Sequence, residues 1–298
     1  MNYIERKEYN NVISVKIVVP SGCNANCSFC YLNDYRDGMS NNHKTFLDNL
    51  MPSLEYIVNK IRDRNPVSID ITGNEPTFDV KLLRDILIKL KQFKIKDKVL
   101  RTTLTSNGYN LLEVIPYFDG VIDYVNISVH DYRDSERKTI MGWNMSDIEY
   151  KRIVSALKSI GISSSCVSVI HKPIVNFKEW RDSFISWCED VGFIGLRFRC
   201  DVFWKNNHIF DVYMQESLCD NNFSIITHEN TPDSHWCRLR RFDGFRLFFL
   251  KGVRDTTLLT KGIEYIISDD GKLYCDYYKR TKIEDYRYEI GKIYDCII

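Results

Sequence analysis

The sequence lacks a long apolar run, a secretion signal and an excess of charge of either sign. No stretch reaches the 18 or more apolar residues of a membrane-spanning helix. Lys16 interrupts the first apolar stretch, so the N-terminus does not form the apolar core of a signal peptide. Forty-one basic and 40 acidic side chains give a net charge of +1, so no overall field attracts nucleic acid or an anionic membrane. These absences predict a cytoplasmic protein with no membrane partner and no strong nucleic-acid affinity.

What the chain does contain is an ordinary globular composition with many cysteines. Its 298 residues suggest about two domains at roughly 150 residues each. Hydrophobic residues make up 44% and charged residues 27%, which excludes wholesale disorder. Ten cysteines in a chain without an export signal favour reduced thiols used in metal or redox chemistry over disulfides.

Strand-like and helix-like segments alternate over the first two hundred residues. The predicted strands are 12–19, 67–72, 99–105, 124–130, 163–171 and 193–203, and helices are predicted at 45–61, 82–90, 111–117, 146–160 and 177–191, with a longer loop after the fourth strand. Six such units with short links predict a parallel sheet that curls into a partial barrel.

The last ninety residues break this alternation. Within 264–278, Asp269, Asp270 and Gly271 supply the turn of a β-hairpin. The predicted fold class is therefore α/β, a partial (βα)6 parallel barrel over 1–205 with a small C-terminal extension over 206–298. We expect this extension, which contains the hairpin, to cover the mouth of the barrel.

Polar residues alternate with apolar ones along several predicted strands, although strands of parallel sheets are usually apolar on both faces. The alternating polar positions include Ser68, Asp70, Thr72, Asn126, Ser128, His130, Arg197 and Arg199. Helices must cover the apolar face, so the polar face lines a lumen that holds water or a polar ligand. An antiparallel sheet with one wet face would also alternate, but the intervening helices disfavour it.

Two arginines on the predicted sixth strand are candidates for binding an anionic substrate. The guanidinium groups of Arg197 and Arg199 suit carboxylates and phosphates. The alternative is an internal salt bridge with Asp70 or Asp201, because buried arginines are normally paired.

Three cysteines lie together in the loop after the first strand, as Cys23-x3-Cys27-x2-Cys30. Parallel α/β folds place their chemistry in such loops. Three clustered thiolates suit an iron–sulfur cluster, and zinc is the main competitor. With His43 as a fourth ligand, a closed zinc site would make the chain a zinc-stabilised binding protein instead of an enzyme.

This motif, with Phe29 as the aromatic residue before the last cysteine, resembles that of the radical S-adenosylmethionine (radical SAM) superfamily. The resemblance implies a [4Fe–4S] cluster on Cys23, Cys27 and Cys30, with S-adenosylmethionine on the remaining iron. It also implies reductive cleavage of S-adenosylmethionine to a 5′-deoxyadenosyl radical that abstracts hydrogen from a substrate. An electron donor such as flavodoxin or ferredoxin would be a partner, and Phe29 and Tyr31 would border the cofactor.

Further cofactor contacts are implied by the same resemblance at the ends of later strands. The segment Gly73-Asn74-Glu75-Pro76 is similar to the family's Gly-Gly-Glu-Pro, which receives the amino group of S-adenosylmethionine. Asn74 replaces the second glycine, and asparagine tolerates a positive φ better than most residues. The other matching positions are Asn107, Ser128 and His130.

The C-terminal extension resembles a reduced SPASM or Twitch domain, an extension that carries auxiliary iron–sulfur clusters. Its four cysteines are Cys219, Cys237, Cys275 and Cys296. They are widely spaced, and scattered cysteines are usually small buried hydrophobes, so an auxiliary cluster is the less favoured interpretation. The substrate expected from the arginines is an anionic small molecule or nucleotide, as for family members that transform guanosine, and a peptide is the alternative.

Overall fold

The computed structural model describes residues 13–30, 42–57, 67–94, 99–201, 204–231, 234–252, 264–276 and 287–289. The strands are β1 (Ile13–Val19), β2 (Val67–Gly73), β3 (Val99–Ser106), β4 (Tyr124–Ser128), β5 (Ser163–Ile170), β6 (Gly195–Cys200), β7 (Phe223–Thr231), β8 (Ser234–Arg241), β9 (Arg246–Gly252), β10 (Glu264–Ile267), β11 (Leu273–Asp276) and β12 (Arg287–Glu289). The helices are α1 (His43–Tyr56), α2 (Val80–Lys94), α3 (Leu111–Val114), α4 (Asp134–Met141), α5 (Asp147–Ser159), α6 (Phe177–Val191) and α7 (His208–Leu218), with 3-10 turns at Pro76–Phe78 and Ile115–Tyr117.

All these strands form one sheet in the order β12-β11-β10-β1-β2-β3-β4-β5-β6-β9-β8-β7. The run from β10 to β9 is parallel throughout, and β11, β12, β8 and β7 add antiparallel strands at the two ends. The sheet is mostly parallel and does not close, which confirms the predicted α/β partial barrel. The β10–β11 hairpin is also confirmed, with Gly271 at a φ of +77° in its turn.

The alternation predicted for the strands is visible in their burial. Val15, Ile17 and Val19 of β1 are fully buried in the main hydrophobic core, to which the helices also contribute. Lys16 between them is only half-buried, as is Asp70 beside it on β2. One face of the sheet is therefore apolar and covered, and the other is polar and partly exposed.

Local sequence signals explain most of the helix boundaries. Ser146 and Glu149 form a reciprocal capping box that begins α5, as their spacing predicts. Gly192 follows α6 with a φ of +101°. Asp79 accepts from the Leu82 N–H at 2.8 Å and caps α2. Pro52 lies inside α1, which begins at His43 and continues through it.

Three parts of the structure depart from the sequence-based expectations. Helix α4 occupies residues predicted as a loop. Its sequence has only two large apolar residues, too few for a periodic signal, and its Arg137 forms ion pairs with Asp134 and Asp147. Helix α7 and strands β7–β9 were not predicted; β9 extends the parallel sheet beside β6. The boundary near residue 205 and the covering of the barrel mouth by residues 206–298 stay predictions. None of the described helices combines the length and the hydropathy of a membrane-spanning helix.

Candidate functional site

The cysteine loop after β1 is fastened to the segment after β2 by three hydrogen bonds. The Asn74 side-chain amide donates to the Ser21 carbonyl at 2.9 Å, and the Ser21 hydroxyl donates to the Glu75 carbonyl at 2.7 Å. The Glu75 N–H donates to the Gly22 carbonyl at 3.1 Å. Because β1 and β2 are parallel neighbours, their carboxyl ends meet at the same edge of the sheet and allow these contacts.

The other side of the cysteine loop rests on the C-terminus of α4. The Asn26 N–H donates to the Met141 carbonyl at 2.6 Å, and the Ser28 N–H donates to the Ile140 carbonyl at 3.2 Å. Ala25, Ile140 and Met141 form a small apolar cluster against which Cys23, Cys27 and Phe29 pack. The helix that sequence periodicity missed is therefore the platform of the cysteine loop.

A fully buried arginine fixes this platform. Arg137 of α4 donates to Asp147 at 2.7 Å, to Asp134 at 3.1 Å and to the Tyr132 carbonyl at 2.7 Å. These partners lie on α4, on α5 and before α4, so one guanidinium joins three consecutive pieces of chain. The position of Arg137 between Asp134 and Asp147 in the sequence could have indicated this contact. Only the folded structure shows that both carboxylates reach the same guanidinium.

The three loop cysteines form no disulfide and are half-buried, so their sulfur atoms are accessible to a cluster. The Ala25 N–H donates to Cys23 Sγ at 3.4 Å, and backbone donors stabilise a thiolate. Within the described ranges, no three Cys, His, Asp or Glu side chains surround a single metal position. A [4Fe–4S] cubane does not need its three cysteine ligands around one metal position, because each thiolate ligates a different iron. The donor set fits the cluster.

The zinc alternative finds no support in the same geometry. In a structural zinc site, all four ligands surround the same ion. His43, the fourth ligand of that alternative, instead lies at the start of α1 with Nδ1 3.4 Å from a carboxylate oxygen of Asp79.

The Glu75 carboxylate joins the ends of β2 and β3. Its Oε1 accepts from the Thr77 hydroxyl and N–H and from the Ser106 hydroxyl, and its Oε2 accepts from the Asn107 N–H at 2.5 Å. Burial raises the pKa of this carboxyl, and the hydrogen bonds from Thr77, Asn107 and Ser106 oppose that rise. Thr77 was not predicted from the sequence. A cofactor ammonium would find the remaining acceptor capacity of the carboxylate on Oε2.

Gly73 and Asn74 occupy the positions at which the family motif Gly-Gly-Glu-Pro has two glycines, and the structure shows how Asn74 fits at the second. Gly73 has a φ of +134°, and a Cβ there would stand 2.8 Å from the Val19 carbonyl oxygen, so only glycine fits. Asn74 is not in the left-handed region, so the expected need for a positive φ does not arise. Pro76, buried, begins the following 3-10 turn.

Buried polar atoms without partners border the same edge of the sheet. Asn107 donates to Asn24 Oδ1 at 2.8 Å, and its Nδ2 lies 4.0 Å from Cys23 Sγ. Among the described residues, Asn24 Nδ2 and, on the polar face of β4, Asn126 Oδ1 have no hydrogen-bond partner. Leaving such groups unpaired is costly, so both fit contact with a bound polar cofactor such as S-adenosylmethionine.

The aromatic residue of the cysteine motif lies between two histidines. The Phe29 ring centroid is 4.7 Å from that of His130 and 5.0 Å from that of His171. His130 Nδ1 accepts from the Val169 N–H at 3.1 Å, and burial together with His171 lowers the pKa of His130 to about 3. A neutral imidazole therefore borders the cysteine loop. Ser128 lies half-buried at the end of β4, and Tyr31 is outside the described residues.

The arginines predicted to bind substrate lie on the polar face of β6, where Arg199 is exposed and Arg197 half-buried. The Arg197 guanidinium lies 5.2 Å from the Tyr124 ring centroid and 5.8 Å from that of Phe248. The structure gives Arg197 no ion pair with any described carboxylate, so the salt-bridge alternative is not realised for it. Its charge stays available to an anion.

Two more arginines share these rings. Arg101 of β3 lies 5.5 Å from the Tyr124 centroid, and Arg238 of β8 lies 5.7 Å from that of Phe248. We call the set Arg101, Tyr124, Arg197, Phe248 and Arg238 the arginine–aromatic row. It runs along the polar face of the sheet from β3 to β8.

The C-terminal cysteines show no shared site within the part of the chain that the structure describes. Cys237 is fully buried in β8, and burial raises its pKa to about 12. Cys219 is exposed at the end of α7. The side chain of Cys275 and all of Cys296 are outside the described residues, so the auxiliary cluster stays an untested and less favoured prediction.

Comparison with known proteins identifies the family. The sequence model of the Radical SAM superfamily matches residues 17–184, which include the cysteine loop and the strands from β2 to β5. The chain belongs to the radical SAM superfamily. It is therefore an enzyme, and the superfamily's [4Fe–4S] cluster and S-adenosylmethionine are its cofactors.

The radical SAM chain is also similar to curated proteins and to a solved structure. It is 22% identical to the GTP 3′,8-cyclase of Vibrio parahaemolyticus over 238 residues, 76% of this chain and 68% of that protein. It is 28% identical to a probable GTP 3′,8-cyclase of Sulfolobus acidocaldarius over 151 residues, 50% of this chain but only 44% of that protein. Native anSMEcpe with bound AdoMet matches its fold with a TM-score of 0.57 at 14% identity, covering 95% of this chain and 81% of that one.

Proposed function

We propose that this radical SAM enzyme acts on an anionic, nucleotide-like small molecule bound in the lumen. The observation that carries the proposal is Arg197, held on the polar face of β6 between two aromatic rings and without a carboxylate partner among the described residues. Similarity to proteins named GTP 3′,8-cyclase supports a nucleotide as the class of anion.

The cofactors would be held at the carboxyl ends of β1–β4. Cys23, Cys27 and Cys30 would ligate the cluster, and the pair of cofactors supplies one-electron cleavage of S-adenosylmethionine and hydrogen abstraction. The surrounding residues would bind and orient S-adenosylmethionine: Phe29, Gly73, Asn74, Glu75, Pro76, Asn107, Ser128 and His130, with Tyr31 beside the motif. His130 stays neutral because its pKa is about 3, so it would add no positive charge to a site that binds a cationic cofactor.

The arginine–aromatic row would orient the substrate. Aromatic faces hold a guanidinium by cation–π attraction and leave its N–H edges free to donate to an oxyanion. Rigid donors lose little side-chain entropy on binding, which favours affinity for phosphate. A reductant such as flavodoxin or ferredoxin and a cytoplasmic setting complete the proposal. The cysteines whose side chains the structure describes form no disulfide, which agrees with a reducing compartment.

Anaerobic binding of GTP, GDP and guanosine to the holoenzyme tests this proposal. We expect the phosphorylated ligands to bind more tightly than guanosine, and Arg197→Met to weaken GTP binding about 10–100-fold, because a charge-assisted hydrogen bond is lost. Arg152→Met, an exposed arginine of α5, is the matched control and should leave binding unchanged. Equal GTP affinity in wild type and Arg197→Met would refute the proposal. Binding of peptides but not of nucleotides would favour the peptide alternative.

A further inference from the structure

Two histidines on the β7–β8 hairpin face each other at a distance that suits a shared metal ion. His228 Nε2 and His235 Nε2 lie 3.4 Å apart. That is at the long end for a hydrogen bond between two nitrogens. Two nitrogens of a tetrahedral zinc site lie about 3.3–3.4 Å apart, because each Zn–N bond is about 2.0–2.1 Å long.

The register of the hairpin places both side chains on one face. His228 pairs with Cys237, and His235 lies two residues before Cys237 on β8, so the histidines are diagonal cross-strand neighbours. This face is opposite to the one that carries Trp236 and Arg238. The histidine pair is therefore on the outer side of the sheet, separate from the lumen and the cysteine loop.

The Asp211 carboxylate on helix α7 orients His235 so that its other ring nitrogen can bind a metal ion. Asp211 Oδ1 of α7 lies 2.9 Å from His235 Nδ1, and Lys251 of β9 donates to the other oxygen of Asp211. The carboxylate fixes the Nδ1–H tautomer, which leaves a lone pair on Nε2 directed toward His228. Metal-binding histidines almost always have such a partner on their other nitrogen.

We propose that His228 and His235 form a binding site for one divalent transition-metal ion of the kind that imidazole prefers, such as Zn²⁺ or Ni²⁺. The two nitrogens occupy two coordination positions, and the exposure of His228 leaves the others to water. Asp211 is a positioning residue that orients His235. The bound ion would tie β7, the last strand at this edge of the sheet, to β8.

The site also matters for iron counting. Protein reconstituted with excess iron or purified on an immobilised metal would carry metal at this hairpin in addition to the cysteine cluster. The total metal count would then exceed the iron expected for the cysteine cluster by this site.

Calorimetric titration of the tag-free holoprotein with Zn²⁺ tests the proposal, with the cluster assembled so that the loop cysteines are occupied. We expect one Zn²⁺ per chain. His228→Gln and His235→Gln should each weaken binding by at least about 10-fold, and Asp211→Asn should weaken it about 10–100-fold, the usual effect of losing the partner of a ligating histidine.

His208→Gln is the matched control, since His208 is an exposed residue at the start of α7 with no hydrogen bond, ion pair or ring contact to either histidine, and should not alter Zn²⁺ binding. Circular dichroism of each variant verifies that the hairpin remains folded. Absence of Zn²⁺ binding to the wild-type holoprotein would overturn the proposal. So would unchanged affinity in both folded histidine variants.

Discussion

At the scale of single residues, the site combines groups that are held by buried hydrogen bonds. The Glu75 carboxylate accepts four of them, from Thr77, Ser106 and Asn107, and so fixes the loops after β2 and β3. His130 accepts a backbone N–H and presents a neutral ring to Phe29. These side chains are ordered before any ligand binds, which lowers the entropy cost of holding S-adenosylmethionine.

His130 makes stability depend on pH in a defined direction. Its pKa is about 3 in the folded chain and 6.5 as a free side chain, so the unfolded chain binds the extra proton first. The stability from this group is present above pH 6.5 and falls as the pH decreases toward 3. Between about pH 7.5 and 5.5 we expect a loss of about 1.4 kcal/mol from this group.

Urea unfolding followed by circular dichroism at the two pH values measures this loss. His130→Gln, which retains an acceptor for the Val169 N–H, should show a pH dependence smaller by about 1.4 kcal/mol. His208→Gln, which changes a histidine at the start of α7, should keep the dependence of the wild type. If His130→Gln and the wild type lose the same stability, His130 is not the buried neutral group described above.

At the scale of elements, the site depends on how closely β1 and β2 end beside each other. Gly73 permits this approach, because any Cβ would meet the Val19 backbone at 2.8 and 2.9 Å. The hydrogen bonds of Ser21, Asn74 and Glu75 then fasten the cysteine loop to the end of β2.

Gly73→Ala therefore tests the contact between the two strand ends. We expect it to cost about 1–3 kcal/mol more than Gly161→Ala, because overpacking against backbone cannot be relieved by a side-chain movement. Gly161 is the matched control, since it also has a positive φ but no atom lies within 4 Å of where its Cβ would stand. Urea unfolding gives the energies, and iron content reports the cysteine loop. Equal costs and equal iron in the two variants would contradict this account of β1 and β2.

Sequence periodicity predicted the βα units well because each strand and helix carries its own apolar face. The boundaries of α6 agree fully, and its glycine stop is local. Helix α4 escaped prediction because Arg137 holds it through Asp134 and Asp147, a contact that only folding creates. The β8–β9 turn had a local signal in Asp243-Gly244, with Gly244 at a φ of +95°, but its two strands were not recognised.

At the scale of the whole molecule, one sheet contains strands from both the predicted barrel region and the predicted C-terminal extension. Strand β9 extends the barrel beside β6, and β10 lies beside β1. The arginine–aromatic row extends from β3 to β8, so the proposed substrate site depends on strands from both predicted regions. Alternation along the strands predicted a polar lumen, but the row itself could not be predicted, because the register of β8 and β9 brings Arg238 beside Phe248.

The central claim is that the three loop cysteines hold the cluster that cleaves S-adenosylmethionine. Its most direct test is anaerobic incubation of the reconstituted protein with S-adenosylmethionine and a strong reductant, followed by measurement of 5′-deoxyadenosine. We expect release by the wild type and by Cys219→Ser, whose exposed thiol lies at the end of α7, and at least about a 100-fold loss in Cys27→Ala, since the cluster then lacks a ligand. Equal release by the wild type and Cys27→Ala would contradict the claim.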